Sequence, residues 1–415
     1  MNKKKVVTCI TAGAAAAFGI YKTLPAQNRA GHPDTVSASE ITSGSSTEYA
    51  SEYSEKNEAG SFAVNTSNQP LLSKDGFFFD TVVSISLYDT ADEAVMDDCF
   101  ELMDHYENLL SRTVEGSDIW KINHSGGKTV EVDPETAALI RDGLHYSEIS
   151  DGAYDITIAP VVDLWDFHSE DNPKVPAAED IAQAVTHVDY TKLKVDGNKV
   201  ILGDPKSGVD LGSIAKGFIS DKLRDCIVKD GCSSAMINLG GNVMTVGTKP
   251  DGSDWRIGIR RPFGTSAYDV IDVVSVSSMS VITSGTYERY FYQDGKLYHH
   301  ILDPSTGYSV DNGLSSVSIL SADGTDGDAL STTCFVLGPD KGMQLIETLD
   351  GIEAAFIDED DNITYSSGWP VSAADCYFLL YSVGFIPVFF LNRRLKYCAS
   401  PMPTSAATER TGLLV

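Results

Sequence analysis

Between Phe77 and Leu110 the hydrophobic pattern changes period once, and that change restricts the fold more than any other feature of the chain. From Val82 to Tyr88 apolar and polar residues alternate, with Val83, Ile85 and Leu87 on one side and Ser84 and Ser86 on the other. A period of two describes a strand with one buried face. From about Ala91 to Leu110 the period lengthens, and Val95, Cys99, Leu102, Met103, Tyr106 and Leu110 line one face of a helix that Asp89 or Thr90 would start. Both kinds of pattern recur downstream. A short helix is predicted after Ser117, with Asn123 read as its end cap in preference to a ligand contact, and a longer one over Pro134–Ser150, ended by Gly152. Another begins near Ser213. Strands are expected at Lys199–Leu202, at Met236–Leu239 before a Gly240-Gly241 turn, and at Val281–Ser284. Tyr290, Phe291 and Tyr292 read as core or cross-strand residues. These elements predict a packed α+β body.

The ends of the 415-residue chain differ from this middle. Met1–Lys5 is basic and Val6–Ile20 is apolar, the arrangement of a secretory signal or signal anchor within residues 1–25. Only Val6, Val7 and Thr8 separate Cys9 from the lysines, so Cys9 lacks the apolar stretch that should precede a lipid-attachment site. Residues 26–70, rich in Ser, Thr and Glu, cannot bury a core and read as a tether. Residues 71–369 are long enough for one large domain or two intimate lobes. In the tail, 370–415, an apolar run over 376–391 precedes Arg393, Arg394 and Lys396, which suits a second membrane segment with its basic flank inside. The expected place of the body is therefore the extracytoplasmic face of the cytoplasmic membrane. The formal net charge of -28 argues against nucleic acid as a partner. It also means that an anionic ligand needs a metal ion or backbone N–H groups to offset repulsion. Cys99, Cys226, Cys232 and Cys334 show no C-x-x-C spacing, so neither a zinc site nor a disulfide framework is indicated.

Asp328 and Thr332 are four residues apart, which on a helix places a carboxylate and a hydroxyl on one face. Such hard oxygen donors suit Mg²⁺, which completes its shell with phosphate and water. Lys216 sits in a first helical turn, where the dipole disfavours a cation unless an anion lies nearby. Tyr154 and Asp155 follow Gly152 and Ala153 at what reads as an exposed turn, placed to hold a ring and a hydroxyl. Gly240 and Gly241 allow close approach of a ligand or of another strand. His300, before the turn Asp303-Pro304-Ser305-Thr306-Gly307, is the residue best suited to move a proton. No Walker-type or dinucleotide-fold glycine motif occurs.

Taken in order, Phe79-Asp80-Thr81, Ser150–Asp155, Asp210–Gly217, Asn238–Asn242, Thr283-Ser284-Gly285, His300–Gly307 and Asp328–Thr332 resemble the ApbE family of Mg²⁺-dependent FAD:protein FMN transferases. The resemblance spans roughly Phe77 to Trp369. It implies an ApbE-like, T-fold-related α+β body with a mixed sheet and packed helices. It implies an enzyme that cleaves FAD, passes FMN to a Thr or Ser hydroxyl of an acceptor protein and releases AMP. The acceptor would belong to an extracytoplasmic electron-transfer system. By the same resemblance, Asp328, Thr332 and the Ser213 carbonyl match Mg²⁺ ligands and His300 the catalytic histidine. Phe79, Gly152, Ala153, Tyr154, Asp155, Ser213, Lys216, Gly240, Gly241 and His300 fall in the FAD site. Phe79 stands where the family often has Met, and Thr113 where many members have a flavin-stacking Tyr. FAD hydrolysis to FMN and AMP, or flavin binding without turnover, would use the same residues.

Overall fold

A computed structural model describes residues 68–165, 167, 173–266 and 269–370. The signal, nearly all of the tether and the apolar tail segment lie outside those residues. Strands β1 (Leu72–Phe78) and β2 (Thr81–Leu87) form a hairpin that leads into α1 (Glu93–Leu110), α2 (Asp118–Asn123), β3 (Val130–Glu131) and α3 (Pro134–Ile149). Then come α4 (Ala159–Trp165), α5 (Ala178–Val185), β4 (Leu193–Asp196), β5 (Lys199–Leu202), α6 (Ala215–Lys229), β6 (Ala235–Leu239), β7 (Asn242–Val246), β8 (Trp255–Arg260) and β9 (Val270–Val276). The last elements are β10 (Ser280–Gly285), β11 (Tyr290–Gln293), β12 (Lys296–His299), β13 (Leu314–Ser321), α7 (Gly324–Ile346), β14 (Glu353–Asp358) and β15 (Ile363–Tyr365).

An 8-stranded sheet in the order β1-β2-β6-β7-β10-β13-β14-β15 organises the body. Its strand pairings are all antiparallel, in place of the mixed directions expected. For three of the seven pairings the reason is local: tight turns join β1 to β2, β6 to β7 and β14 to β15, and a tight turn can only reverse direction. Both faces of the sheet are covered. On one, Val83, Ile85, Leu87, Val317, Ile319, Ala354 and Phe356 pack with α1, α6 and α7. On the other, Leu320, Ala355 and Ile357 meet Trp255, Ile257 and Val274 of the β8–β9 hairpin. β13 is consequently buried along its whole length. A smaller cluster around Trp165 joins α4 and α5 to Phe291 and Leu302, and so braces the segment that carries His300. Each large apolar side chain so buried contributes about 1.5–3 kcal/mol.

Local signals account for most boundaries, and the differences have simple causes. α1 starts at Glu93, later than Asp89 or Thr90 suggested, because Asp92 accepts from Ala94 N–H as the cap while Asp89 binds Ser233 N–H and Oγ–H. α6 starts at Ala215 without a side-chain cap. Asn123 caps nothing: its amide clamps the Val209 backbone through both N–H (2.7 Å) and C=O (2.9 Å), and His124 ends α2. Phe291 is core as expected, but Tyr290 and Tyr292 on the opposite side of β11 are exposed. Cys99, Cys226, Cys232 and Cys334 are free thiols. Among the described residues no helix is long and apolar enough to cross a membrane.

Candidate active site

Two helix starts meet backbone to backbone. A Cβ at Gly217 of α6 would collide with the Gly324 carbonyl of α7, and a Cβ at Gly324 would collide with Ser220 Oγ. Glycine on both sides is therefore what allows this crossing. Across it the helices exchange carboxylates. Asp221 of α6 accepts from Gly324 N–H (2.7 Å), Thr325 N–H (2.9 Å) and Thr325 Oγ–H (2.7 Å), so it satisfies the orphan donors at the start of α7. Asp328 of α7 accepts from Gly217 N–H (2.9 Å) and, through its other oxygen, from Asn242 Nδ2 (2.9 Å). In a regular helix the Gly217 N–H would bond the carbonyl of Ser213. Since it goes to Asp328, the helical ladder does not claim that carbonyl.

Thr332 lies one turn beyond Asp328 on α7, as their spacing predicts, with its hydroxyl 3.1 Å from Ser284 Oγ. Ser213 donates its hydroxyl to Tyr154 (2.9 Å), whose own pKa burial pushes above the usual phenol value. Among the described residues no group of three or more His, Cys, Asp or Glu side chains gathers in a way that could hold a metal. The oxygens at this crossing are a different kind of donor set: one carboxylate with spare lone pairs, one hydroxyl and one unclaimed carbonyl. Such a set fits Mg²⁺, which uses few protein carboxylates and leaves room for phosphate and water, and does not fit zinc.

His300 approaches from another part of the chain. It follows β12, its N–H donates to the Arg289 carbonyl (3.1 Å), and its Nδ1 is buried without a hydrogen-bond partner among the described residues. Burial first, and then the positive charges of Arg289 and Lys216, lower its pKa to about 3. His299 is also neutral, lowered to about 4 chiefly by burial, and its Nε2 must donate to the Val310 carbonyl (2.9 Å). The Asp303 turn closes through Gly307 N–H to Asp303 C=O (2.7 Å), and Trp165 Nε1 anchors it by donating to Gly307 C=O (2.7 Å). Lys216 lies in the first turn of α6 and donates to Gly212 C=O (3.2 Å). Its charge is one of those that hold the His300 pKa down.

The other expected residues have mixed placements. Phe79 and Asp80 form the β1–β2 turn at φ 54 and 56, a conformation that non-glycine residues rarely adopt. Glu107 holds that turn by accepting from Phe79 N–H (2.7 Å). Gly152 (φ 78) and Ala153 end α3, as the glycine signal implied. The turn that follows is not exposed: Tyr154 and Asp155 are 3% and 7% accessible. Asp155 is drawn inward by Thr157 N–H and Oγ–H and by Tyr190 N–H, so its oxygens brace the backbone. Gly240 (φ 63) is required by the neighbouring strand, since a Cβ there would collide with Thr81, while Gly241 (φ 102) has open space around it. Sequence reasoning missed Asn242, Asp221, Arg112 and Arg289. Arg112 pairs with Asp210 (3.1 Å) and with Asp163, and the charges of Asp80 and Asp210 reach Arg289. The available signals were charged residues inside or beside apolar runs, as in Tyr287-Glu288-Arg289-Tyr290.

This arrangement has relatives. The chain is 39% identical over 290 residues to a FAD:protein FMN transferase of Klebsiella pneumoniae (strain 342), covering 69% of this chain and 88% of that one. It is 35% identical over 292 residues to one of Treponema pallidum (strain Nichols), covering 66% and 80%. Among solved structures, the ApbE protein of Thermotoga maritima superposes with a TM-score of 0.66 at 35% identity, over 71% of this chain and 97% of that chain. The flavin transferase ApbE of Vibrio cholerae does so with 0.65 at 27% identity, over 71% and 97%. The profile of the ApbE family matches residues 79–356, the span that contains both helix starts and His300, and the chain belongs to that family.

Proposed function

We propose that this protein is a FAD:protein FMN transferase that uses Mg²⁺, takes FMN onto a Thr or Ser hydroxyl of an acceptor protein and releases AMP. The observation that carries the reading is the Gly217–Gly324 crossing, which brings the buried Asp328 carboxylate to the helix start that carries Lys216 and the unclaimed Ser213 carbonyl. Relatives that share this span are named for the same transfer. Mg²⁺, held by Asp328, Thr332 and the Ser213 carbonyl, would offset pyrophosphate charge that a chain of -28 would otherwise repel.

The protein's own groups then have distinct tasks. Asp328 and Thr332 would hold that cation, which would supply positive charge against the pyrophosphate end of FAD. Lys216 and the first turn of α6 add positive potential. Phe79, Gly152, Ala153 and Tyr154 lie on segments that would border the flavin nucleotide. The acceptor oxygen forms a bond to the FMN phosphorus while the bond from that phosphorus to the AMP oxygen breaks, and AMP leaves with the electron pair. His300, neutral and with a ring nitrogen that has no partner among the described residues, accepts the hydroxyl proton or donates a hydrogen bond to the phosphoryl oxygens. The signal-like N-terminus and tether support an exported body held at the extracytoplasmic face of the cytoplasmic membrane, next to an acceptor from an electron-transfer system.

The test is incubation of the purified protein with FAD, Mg²⁺ and a candidate acceptor domain, read by in-gel flavin fluorescence and by AMP release. A fluorescent acceptor with stoichiometric AMP supports transfer. FMN and AMP without labelling would mean hydrolysis, and intact retained FAD would mean binding alone.

A further inference from the structure

We propose that Asn242 is a positioning residue for this reaction: its side-chain amide fixes the orientation in which Asp328 takes the cation. The inference rests on the reading of Asp328 given above. Asn242 is 5% accessible and sits at the start of β7, directly after the Gly240-Gly241 turn. Turn geometry does not demand it, because the left-handed positions of this hairpin are Gly240 and Gly241. The other residues of β7 are Val243, Met244, Thr245 and Val246. A primary amide at a buried strand position costs free energy unless its donors are used.

Its donor is used on one group. Nδ2 lies 2.9 Å from Asp328 Oδ1 while Gly217 N–H lies 2.9 Å from Oδ2. A carboxylate only accepts, so the amide nitrogen must be the atom that faces it. A carboxylate alone on its stem turns through a broad, roughly two-fold range about its last torsion. Donors on different oxygens, one from a sheet hairpin and one from a helix start, remove that freedom. They leave each oxygen lone pairs for a metal and hold them in one direction. Hydrogen bonds of this kind to metal ligands typically change metal affinity by about 10–100-fold.

The experiment compares the full-length protein with its Asn242→Ala, Asn242→Ser and Asp328→Ala variants. Direct Mn²⁺ binding is read from the free-ion electron paramagnetic resonance signal without turnover. The Mg²⁺ half-saturation of acceptor labelling and the thermal midpoint of the metal-free protein complete the set. For Asn242→Ala, Mn²⁺ affinity and Mg²⁺ half-saturation should weaken together by about 10–100-fold. Turnover should recover largely at saturating Mg²⁺. Asn242→Ser, which keeps a shorter donor, should fall between. A lowered thermal midpoint with unchanged Mn²⁺ affinity and unchanged half-saturation would make Asn242 a purely structural residue and overturn the proposal. If Asp328→Ala binds Mn²⁺ as tightly as the parent, the metal reading of Asp328 fails and the proposal with it. A weakened Asp328→Ala beside an unaffected Asn242→Ala would sink the Asn242 inference alone.

Discussion

Asp328 reaches the site with both oxygens engaged, by Gly217 N–H and by Asn242, whereas His300 reaches it with Nδ1 buried and no partner among the described residues. The carboxylate is fixed before any ligand arrives. The imidazole is held neutral by burial and by Arg289 and Lys216, and an arriving anion would relax that pressure. The two halves therefore divide the work differently. The helix crossing is preorganised and should change little on binding. The histidine segment has its protonation set by what binds next to it.

Substitution at Asp328 should give the largest effect. On the proposed reading, Asp328→Ala loses the carboxylate that would bring a cation to the pyrophosphate. Such a cation contributes several kcal/mol, so acceptor labelling should fall by about 10³-fold or more. If labelling in the fluorescence assay survives, the preorganised half of the comparison is wrong. His300→Ala should follow with a loss of about 10²–10³-fold, the lower part of the range usual for a group that moves a proton. Its Mg²⁺ half-saturation should stay at the parent value. Equal shifts of half-saturation in both variants would mean that the halves are not separate, while full activity of His300→Ala would make the histidine structural.

The helix half was legible in the sequence because its key spacing is local. Asp328 and Thr332 needed only the 3.6 period, and Lys216 only the sign of a helix dipole. What makes Asp328 rigid was not legible. Gly217, Asn242 and Asp328 lie in three elements, and nothing in the periodicity of any one says that they converge. Asp221 was invisible for the same reason, since it caps a helix that starts 103 residues later. Asp155 was misplaced because Gly-Ala-Tyr-Asp is turn chemistry. Whether such a turn faces water depends on Thr157 and the distant Tyr190 backbone. Gly240 can approach a ligand or another strand, and the structure shows the strand contact, with Thr81.

Gly217→Ala tests the crossing itself. The added methyl meets the Gly324 backbone and the Asp328 Cβ, neither of which is a flexible side-chain end. Overpacking of this kind costs about 3 kcal/mol, so the thermal midpoint should drop by several degrees. Labelling should fall further than the loss of folded protein accounts for, because the Asp328 donor moves with the helix. A fall that matches the folded fraction alone would mean that the crossing supports the fold but does not aim the carboxylate.

The smallest effect belongs to the histidine half and appears as a pH dependence. His299 is 3% accessible and its pKa is lowered to about 4, against about 6.5 in an unfolded chain. Above that unfolded value both states carry the neutral ring, and this group contributes no pH dependence. As pH falls below it, the unfolded state takes up a proton that the folded state refuses, so stability drops until pH reaches the folded value. His300, lowered to about 3, acts in the same direction. Replacing His299 by Gln keeps an N–H that can reach the Val310 carbonyl and removes the titration. Denaturant midpoints at pH 7 and pH 5 should then show a shallower acid loss in His299→Gln than in the parent, by about 1–2 kcal/mol at pH 5. Identical slopes would mean that His299 is protonated in the folded protein. The positive charge that it would place beside His300 would then be part of the site, and the neutral histidine half would have to be redrawn.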